Sequence, residues 1–187
     1  TNFNDVHIGI KAIELLVKLG YTVEIVDILD TGRAYISKGL LKSAQRIANG
    51  NVNKLKRLLS HDTPLVGIEP SALLTFRDEY PELVSIENRA TAIELSKYCL
   101  LFDEFFMREV EKGFFKKENF IAGELKIKLH GHCQQKAVAS TTPTKAMLAF
   151  PEGSIVEEIP SGCCGMAGSF GYEKEHYDLS MKVGELV

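Results

Sequence analysis

The chain interleaves stretches whose apolar residues recur every three to four positions with short stretches that alternate every two. Ile13, Leu16 and Val17 share a helical face that stops at Gly20. Over 21–26, Tyr21, Val23 and Ile25 alternate with Thr22 and Glu24, which predicts a strand. Leu40, Leu41, Ala44, Ile47 and Ala48 line a helix capped at Ser37 and ended by Asn49-Gly50. Asn51 caps the next, with Val52, Leu55, Leu58 and Leu59 inward. Residues 65–68 read as an apolar strand between Pro64 and Pro70, and Ser71 opens a helix that ends near Pro81. From 89 to 112 the pattern is helical throughout. Phe102, Phe105, Phe106 and Val110 form its core stripe, and Cys99 is a small buried hydrophobe on the same helix.

Leu125, Ile127 and Leu129 alternate with Lys126 and Lys128, a strand with one wet face, and run into His130-Gly131-His132-Cys133. Thr142-Pro143 is a helix start. A strand over 153–159 leads into Pro160-Ser161-Gly162-Cys163-Cys164-Gly165. Gly165, Gly168 and Gly171 then turn into a helix bearing His176, Tyr177, Ser180 and Val183. Strands interleaved with helices predict an α/β fold of Rossmann-like layers around mainly parallel sheets. The motif loops then sit at the carboxyl ends of strands, where open α/β sheets place their sites.

Shifting the chain by 133 positions aligns two segments: Gly20 with Gly153, Val23 with Val156, Glu24 with Glu157, Val26 with Ile159, Gly32 with Gly165, Ala34 with Ala167. The fold is therefore expected to be two pseudo-repeated βα units. At this offset Asp30 and Thr31 fall on Cys163 and Cys164. The counterpart of Cys133 would lie before Thr1, and that of 68–72 beyond Val187. A start at Thr1 rather than Met, and an end inside a helical pattern, lead to the expectation that the chain is a piece of a longer protein.

Composition narrows the function classes. The net charge of −3, with both signs mixed, leaves no electrostatic footprint for nucleic acid. Lys54, Lys56 and Arg57 read as a solvated helix face. No apolar run reaches the ~18 residues of a transmembrane span, and no secretory signal is present. In a chain of 187 residues with 45% apolar content, the four cysteines read as reduced thiols rather than a disulfide scaffold. Cytoplasmic localisation is expected, or a peripheral place on the inner membrane.

Cys133 and Cys163-Cys164 are separated by 29 residues, and both follow predicted strands, so a parallel sheet can bring them together. In a glycine-flanked turn adjacent sulfurs can face one centre. The helix expected after Gly165 would aim free N–H groups and its positive dipole end there, which favours thiolates and sulfide-rich clusters. Three chemistries remain open on the residues alone. These are an iron–sulfur site, a zinc site using His130 or His132 with the three cysteines, and a thiol enzyme acting through Cys163 or Cys164. His130 also reads as a residue that orients its loop. Glycines at 165, 168 and 171 lack the G-x-G start of a dinucleotide fingerprint.

His130-Gly131-His132-Cys133 and Ser161-Gly162-Cys163-Cys164-Gly165-Met166-Ala167-Gly168-Ser169-Phe170-Gly171, continued through Glu173, Glu175, His176 and Tyr177, resemble the CCG, or cysteine-rich, domain family. That family includes the cysteine-rich component of heterodisulfide reductase and the iron–sulfur component of glycolate oxidase. The stretch also looks like the C-terminal part of FAD-linked oxidases fused to an iron–sulfur module. Residues 32–41 and 67–71 resemble the family's first repeat, with Asp30, Thr31 and Ala72 where that repeat often has cysteine.

The resemblance implies a degenerate, cysteine-free repeat over 1–88. It implies a linking helix and a second repeat, truncated at its C-terminus, over 89–187. It implies a 4Fe-4S-type cluster on Cys133, Cys163 and Cys164, supported by Gly162, Gly165, His130 and His132. FAD would sit on another domain, with zinc as the alternative metal and a structural or docking module as the alternative function. The partners implied are a flavin dehydrogenase domain and a downstream electron acceptor. The activity implied is that of an oxidoreductase for a 2-hydroxy acid of the D-lactate, glycolate or 2-hydroxyglutarate type, with no catalytic residue assigned in this piece and the isolated piece inactive. One cysteine of the family pattern would follow Val187.

Overall fold

The apolar stripe that stops at Gly20 folds as α1 (Val6–Lys18) in the computed structural model, which describes residues 5–28 and 30–186. Gly20 takes φ +93°, so the amides of Gly20 and Tyr21 turn back onto the carbonyls of Val17 and Leu16. That Schellman arrangement needs the left-handed residue a glycine supplies. The strand predicted over 21–26 does not form among the described residues. Its alternation serves a different surface: Tyr21 and Val23 pack into an aromatic cluster, with no described strand beside them to complete a ladder.

After α2 (Arg33–Ser37), α3 (Leu41–Leu55) runs straight through the predicted break at Asn49-Gly50. Ala44, Ala48, Val52 and Leu55 bury one continuous stripe along it. That burial outweighs the penalty of about 1 kcal/mol for a mid-helix glycine. The asparagines that read as stop and cap make tertiary hydrogen bonds instead. The Asn49 side-chain oxygen accepts from Ser85 and Asn88, and Asn51 donates to the Asp30 carbonyl and the Tyr80 hydroxyl.

Strand β1 (Leu65–Gly67) forms as expected and pairs in parallel with β2 (Cys99–Leu101). Between them lie α4 (Pro70–Arg77), α5 (Tyr80–Leu83) and α6 (Ile86–Ser96). The single helix predicted over 89–112 is thus two helices, α6 and α7 (Phe102–Glu111), with a strand between them. A short strand buried on both faces carries an unbroken apolar run, which periodicity cannot tell from a helix segment. Cys99 therefore lies on β2, not on a helix, and is 1% exposed. Burial pushes its thiol up to about 12, so it stays an inert core residue. This pairing joins residues on either side of position 88.

The later half contributes β3 (Lys126–Leu129), α8 (Cys133–Val138), α9 (Thr142–Leu148), β4 (Ile155–Glu158) and α10 (Tyr177–Gly184), with β3 and β4 parallel. The described chain is α/β, built on two small parallel sheets. Its core joins α3 to α6 and β2 in one cluster, and Leu16, Phe105, Phe106 and Phe115 in another. After Phe115 no described apolar side chain is buried; only Gly131, Gln135, Gly165, Gly171 and Ser180 are. The second sheet therefore has no apolar centre of its own and leans on the aromatic cluster through Phe120, Met147 and Phe150. No described helix is long and apolar enough to cross a membrane.

One buried carboxylate makes stability depend on acid. Glu109 lies under α1's exit and accepts from the Tyr21 hydroxyl, from Arg108 Nε at 2.9 Å and from Lys112 Nζ at 3.1 Å. Burial by itself would raise its pKa; the three donors outweigh that and hold it below the usual carboxylate value. A depressed folded-state pKa adds stability that is complete above the unfolded value, near 4.3, and disappears as pH falls through the folded one. Urea unfolding between pH 6 and pH 3 should show that loss, and Glu109→Gln should flatten it. An unchanged acid slope in the variant would remove Glu109 from the account.

Candidate functional site

The site is built on the carboxyl edge of the second sheet. In the β3–β4 register Leu129 stands opposite Glu158, so the His130–Cys133 loop and the Ser161–Gly165 loop leave the same edge side by side. Cys133 is the first residue of α8, and Cys163 and Cys164 follow β4 in an irregular loop. Cys133 and Cys164 are exposed, Cys163 is half-buried, and all three are free thiols.

Each arm is fixed by its own contacts. The His132 Nδ1 accepts from the Gln134 amide at 3.2 Å and caps α8. Its Nε2 lies 3.7 Å from Glu69 Oε1, the carboxylate that caps α4 through the amides of Ser71 and Ala72. Sequence pattern placed that cap on Ser71; the glutamate takes it instead and so stands beside the start of α8. Gly131 is buried where a Cβ would strike Thr141 Cγ2 at 2.7 Å, and the Thr141 hydroxyl donates to Glu158 Oε1 at 2.7 Å. Below α8, the buried Gln135 amide donates to Asp103 Oδ2 and to the Ser140 carbonyl, both at 2.9 Å. The Thr144 hydroxyl reaches the same carboxylate, so one buried acid ties α7, α8 and α9 together.

The cysteine-pair loop rests on α10. Gly165 takes φ +86°, and the Ser180 hydroxyl donates to its carbonyl at 2.8 Å. The Gly165 amide donates to Cys163 Sγ at 3.4 Å, an N–H aimed at sulfur. The expected helix does not follow Gly165 directly. Two 3-10 turns, Phe170–Tyr172 and Lys174–His176, come first, and α10 starts at Tyr177. No helix starts at the loop itself, and the Gly165 amide supplies the donor at Cys163. His176 is not on the helix but ends the second turn, stacked on Phe170 with ring centroids 4.0 Å apart.

The equivalent loop in the first half repeats this geometry with oxygen. Gly32 also takes a left-handed φ, +81°, and its amide donates to Asp30 Oδ1 at 2.7 Å. Asp30 and Gly32 fall on Cys163 and Gly165 at the 133-residue offset, so a carboxylate takes the hydrogen bond that a thiol takes in the second loop. The loops of the two halves also touch: Lys38 pairs with Glu173, and that hydrogen bond holds the glutamate's carboxyl below its usual range.

One residue that the sequence pattern did not single out joins the two cysteine arms. Lys136, one turn after Cys133, donates from Nζ to the carbonyls of Ser161 at 2.7 Å and Gly162 at 3.1 Å. Its only sequence signal is the three-residue spacing from a cysteine, which any surface lysine can share. The donor set is soft, three thiols on loops that leave one sheet edge, with an amide directed at one sulfur, and soft thiolates are the ligands that zinc and iron–sulfur groups both take. Among the described residues no three His, Cys, Asp or Glu side chains are gathered on one metal centre. His130 is exposed, and His132 has a neighbour at each ring nitrogen.

Comparison with known proteins finds dehydrogenases. The chain is 30% identical over 184 residues to a D-2-hydroxyglutarate dehydrogenase of Pantoea ananatis and 26% identical over 187 residues to that of Escherichia coli. Those alignments cover 98% and 100% of the chain but 17% of each relative. It is also 25% identical over 185 residues to a component of the anaerobic glycerol-3-phosphate dehydrogenase of Escherichia coli, covering 98% of the chain and 45% of that component. The relatives are dehydrogenases, of which this chain matches a part. No family model matches the chain, and no solved structure does.

Proposed function

We propose that the chain is an electron-transfer module of a flavin-dependent oxidoreductase for a 2-hydroxy acid, holding a 4Fe-4S-type cluster on Cys133, Cys163 and Cys164. The observation that carries this reading is the shared edge: the β3–β4 register brings both cysteine loops out together, and Lys136 links them. The D-2-hydroxyglutarate dehydrogenase relatives fit that reaction class, and the glycerol-3-phosphate dehydrogenase component fits the broader class of secondary-alcohol oxidation.

When bound, the cluster supplies one-electron storage between a flavin and an acceptor. The chain's own residues hold and tune it. The thiolates of Cys133, Cys163 and Cys164 are the ligands, and the Gly165 amide draws charge from the Cys163 sulfur. Gly162 and Gly165 give the loop its turn. His132 fixes the start of α8, and His130 lines the rim. The 2-hydroxy acid and the FAD belong to a dehydrogenase domain that this module serves, and the exposure of Cys133 and Cys164 leaves the site open to an electron partner. In this reading the residues up to 88 form the cysteine-free repeat and those from 89 the cluster-bearing one.

The test is anaerobic reconstitution of the intact protein with iron and sulfide. The wild type should develop cluster absorption and, on reduction, an electron spin resonance signal. Each of Cys133→Ser, Cys163→Ser and Cys164→Ser should lose most of the bound iron. A serine triple variant with the wild-type spectrum would sink the assignment.

A further inference from the structure

We infer that residues 22–26 are the receiving edge for a further parallel strand of the intact polypeptide, one that alternates apolar and basic residues and sets a cation opposite Glu24. No bound group enters this inference.

The edge is open. Among the described residues the amides of 22–26 donate to no backbone group, and of their carbonyls only that of Val26 accepts, from the Ile28 amide at 2.8 Å. A row of unpaired N–H and C=O groups is a template for another strand. The side chains already divide as in a sheet. Tyr21 and Val23 pack on the aromatic cluster, while Thr22 and Glu24 are exposed. Ile25 is 78% exposed, an apolar residue with nothing described to cover it.

The second half shows what fills such an edge. At the 133-residue offset 22–25 fall on β4, and the two segments match in backbone as well as in sequence. Gly20 and Gly153 precede them at φ +93° and +84°. Each segment ends in the same tight turn, Ile28 amide to Val26 carbonyl at 2.8 Å and Ser161 amide to Ile159 carbonyl at 2.7 Å. Helix α1 holds the place of α9, which lies between β3 and β4 in the crossover that joins them. Strand β4 has its partner: the amides of Ile155 and Ile159 donate to the carbonyls of Leu125 and Leu129, both at 2.8 Å. The equivalent donors are the amides of Thr22 and Val26. Glu24 lies between them on the same edge, because successive N–H groups of a strand point to opposite sides.

Charge says what kind of strand it is. Lys128 stands directly opposite Glu157 in the β3–β4 register and pairs with it. Glu24 is the counterpart of Glu157, and it has no ion-pair partner among the described residues. Strand β3 reads Lys-Ile-Lys-Leu, with Ile127 beside Val156, the counterpart of Val23. An apolar residue beside Val23 would share its face and meet the aromatic cluster that also takes Val66 of β1. The source is the same polypeptide. At this offset the counterpart of β3 falls ahead of Thr1, and the chain matches 17% of the length of its D-2-hydroxyglutarate dehydrogenase relatives.

Hydrogen exchange resolved to single amides, on the intact protein, tests the edge. Thr22, Glu24 and Val26 should be protected about a hundredfold or more, and Val23 and Ile25 at least about tenfold less. Glu24→Lys should cut that protection about tenfold and Glu24→Gln about threefold. A benzophenone side chain built in at position 25 should cross-link, within one molecule, to a segment ahead of Thr1 in which apolar and basic residues alternate. Fast exchange at all five amides overturns the receiving edge. Protection of Val23 and Ile25 alone overturns the pairing side read from β4. Undiminished protection in both Glu24 variants overturns the cation. Cross-links to a second copy, or none, overturn the source in the same polypeptide.

Discussion

Replacing Gly165 with alanine is expected to cost about 2–5 kcal/mol and, under the proposed function, to prevent cluster uptake. Two independent effects add. The residue sits at φ +86°, a conformation that strains any side chain. The new methyl would also land on the Ser180 carbonyl oxygen, well inside van der Waals contact, with the Ser180 carbonyl carbon at 3.0 Å. A backbone carbonyl of α10 cannot swing aside as a flexible side chain would. The loop must lift off the helix, which breaks the Ser180 hydroxyl bond to the Gly165 carbonyl and moves the amide that donates to Cys163.

Gly168 provides the control. It too is left-handed, at φ +70°, but nothing lies within 4 Å of its added Cβ. Gly168→Ala should therefore show only the backbone strain, roughly 1 kcal/mol. Chemical denaturation of both variants measures the difference. Equal losses at the two positions would mean that Ser180 yields and that α10 is not the platform of the loop.

The second large effect lies away from the cysteines. Phe106→Ala should destabilise the protein by about 3–5 kcal/mol. The ring is 3% exposed and meets Phe115 at 5.0 Å, Phe150 at 5.4 Å and Phe120 at 5.5 Å between centroids. Phe120 and Phe150 come shortly before β3 and β4, in a half of the chain where no described apolar side chain is buried. Losing Phe106 opens a cavity at the apolar anchor of the second sheet, so amide exchange over β3 and β4 should quicken before that over β1 and β2. The neighbouring Phe114, 67% exposed, should tolerate alanine within about 0.5 kcal/mol. Uniform loosening of both sheets in the Phe106 variant would contradict this division.

Legibility varied by element for physical reasons. Strand β3 was readable because it alternates apolar and polar positions over a half-wet face, β4 because its short run with Ile155 and Val156 stands between Gly153 and Pro160, and α1 because its stripe ends at a glycine that must turn left-handed. The 21–26 segment failed because alternation reports a one-sided apolar surface, not the presence of a partner strand. The 89–112 stretch failed because a buried strand of three residues leaves an apolar run indistinguishable from helix. Asn49-Gly50 misled because buried alanines and Val52 on either side keep α3 intact. At the site, the cysteines and glycines were legible as a motif, while Lys136, Glu69 and the Asp103–Gln135–Thr144 network were not.

The sequence by itself determined the chemistry on offer: three thiols, the glycines that let their loops turn, and a 133-residue echo in which Asp30 stands where Cys163 does. Residue type and local backbone freedom are written along the chain. The tertiary structure decided which groups meet. It put Leu129 beside Glu158, laid the Gly165 loop on Ser180, reached from Glu69 to His132 and closed Lys136 onto Ser161 and Gly162. Those meetings depend on strand register and on helices packing across long sequence separations. No local pattern encodes them, because each is selected by the burial and hydrogen bonding of the whole fold at once.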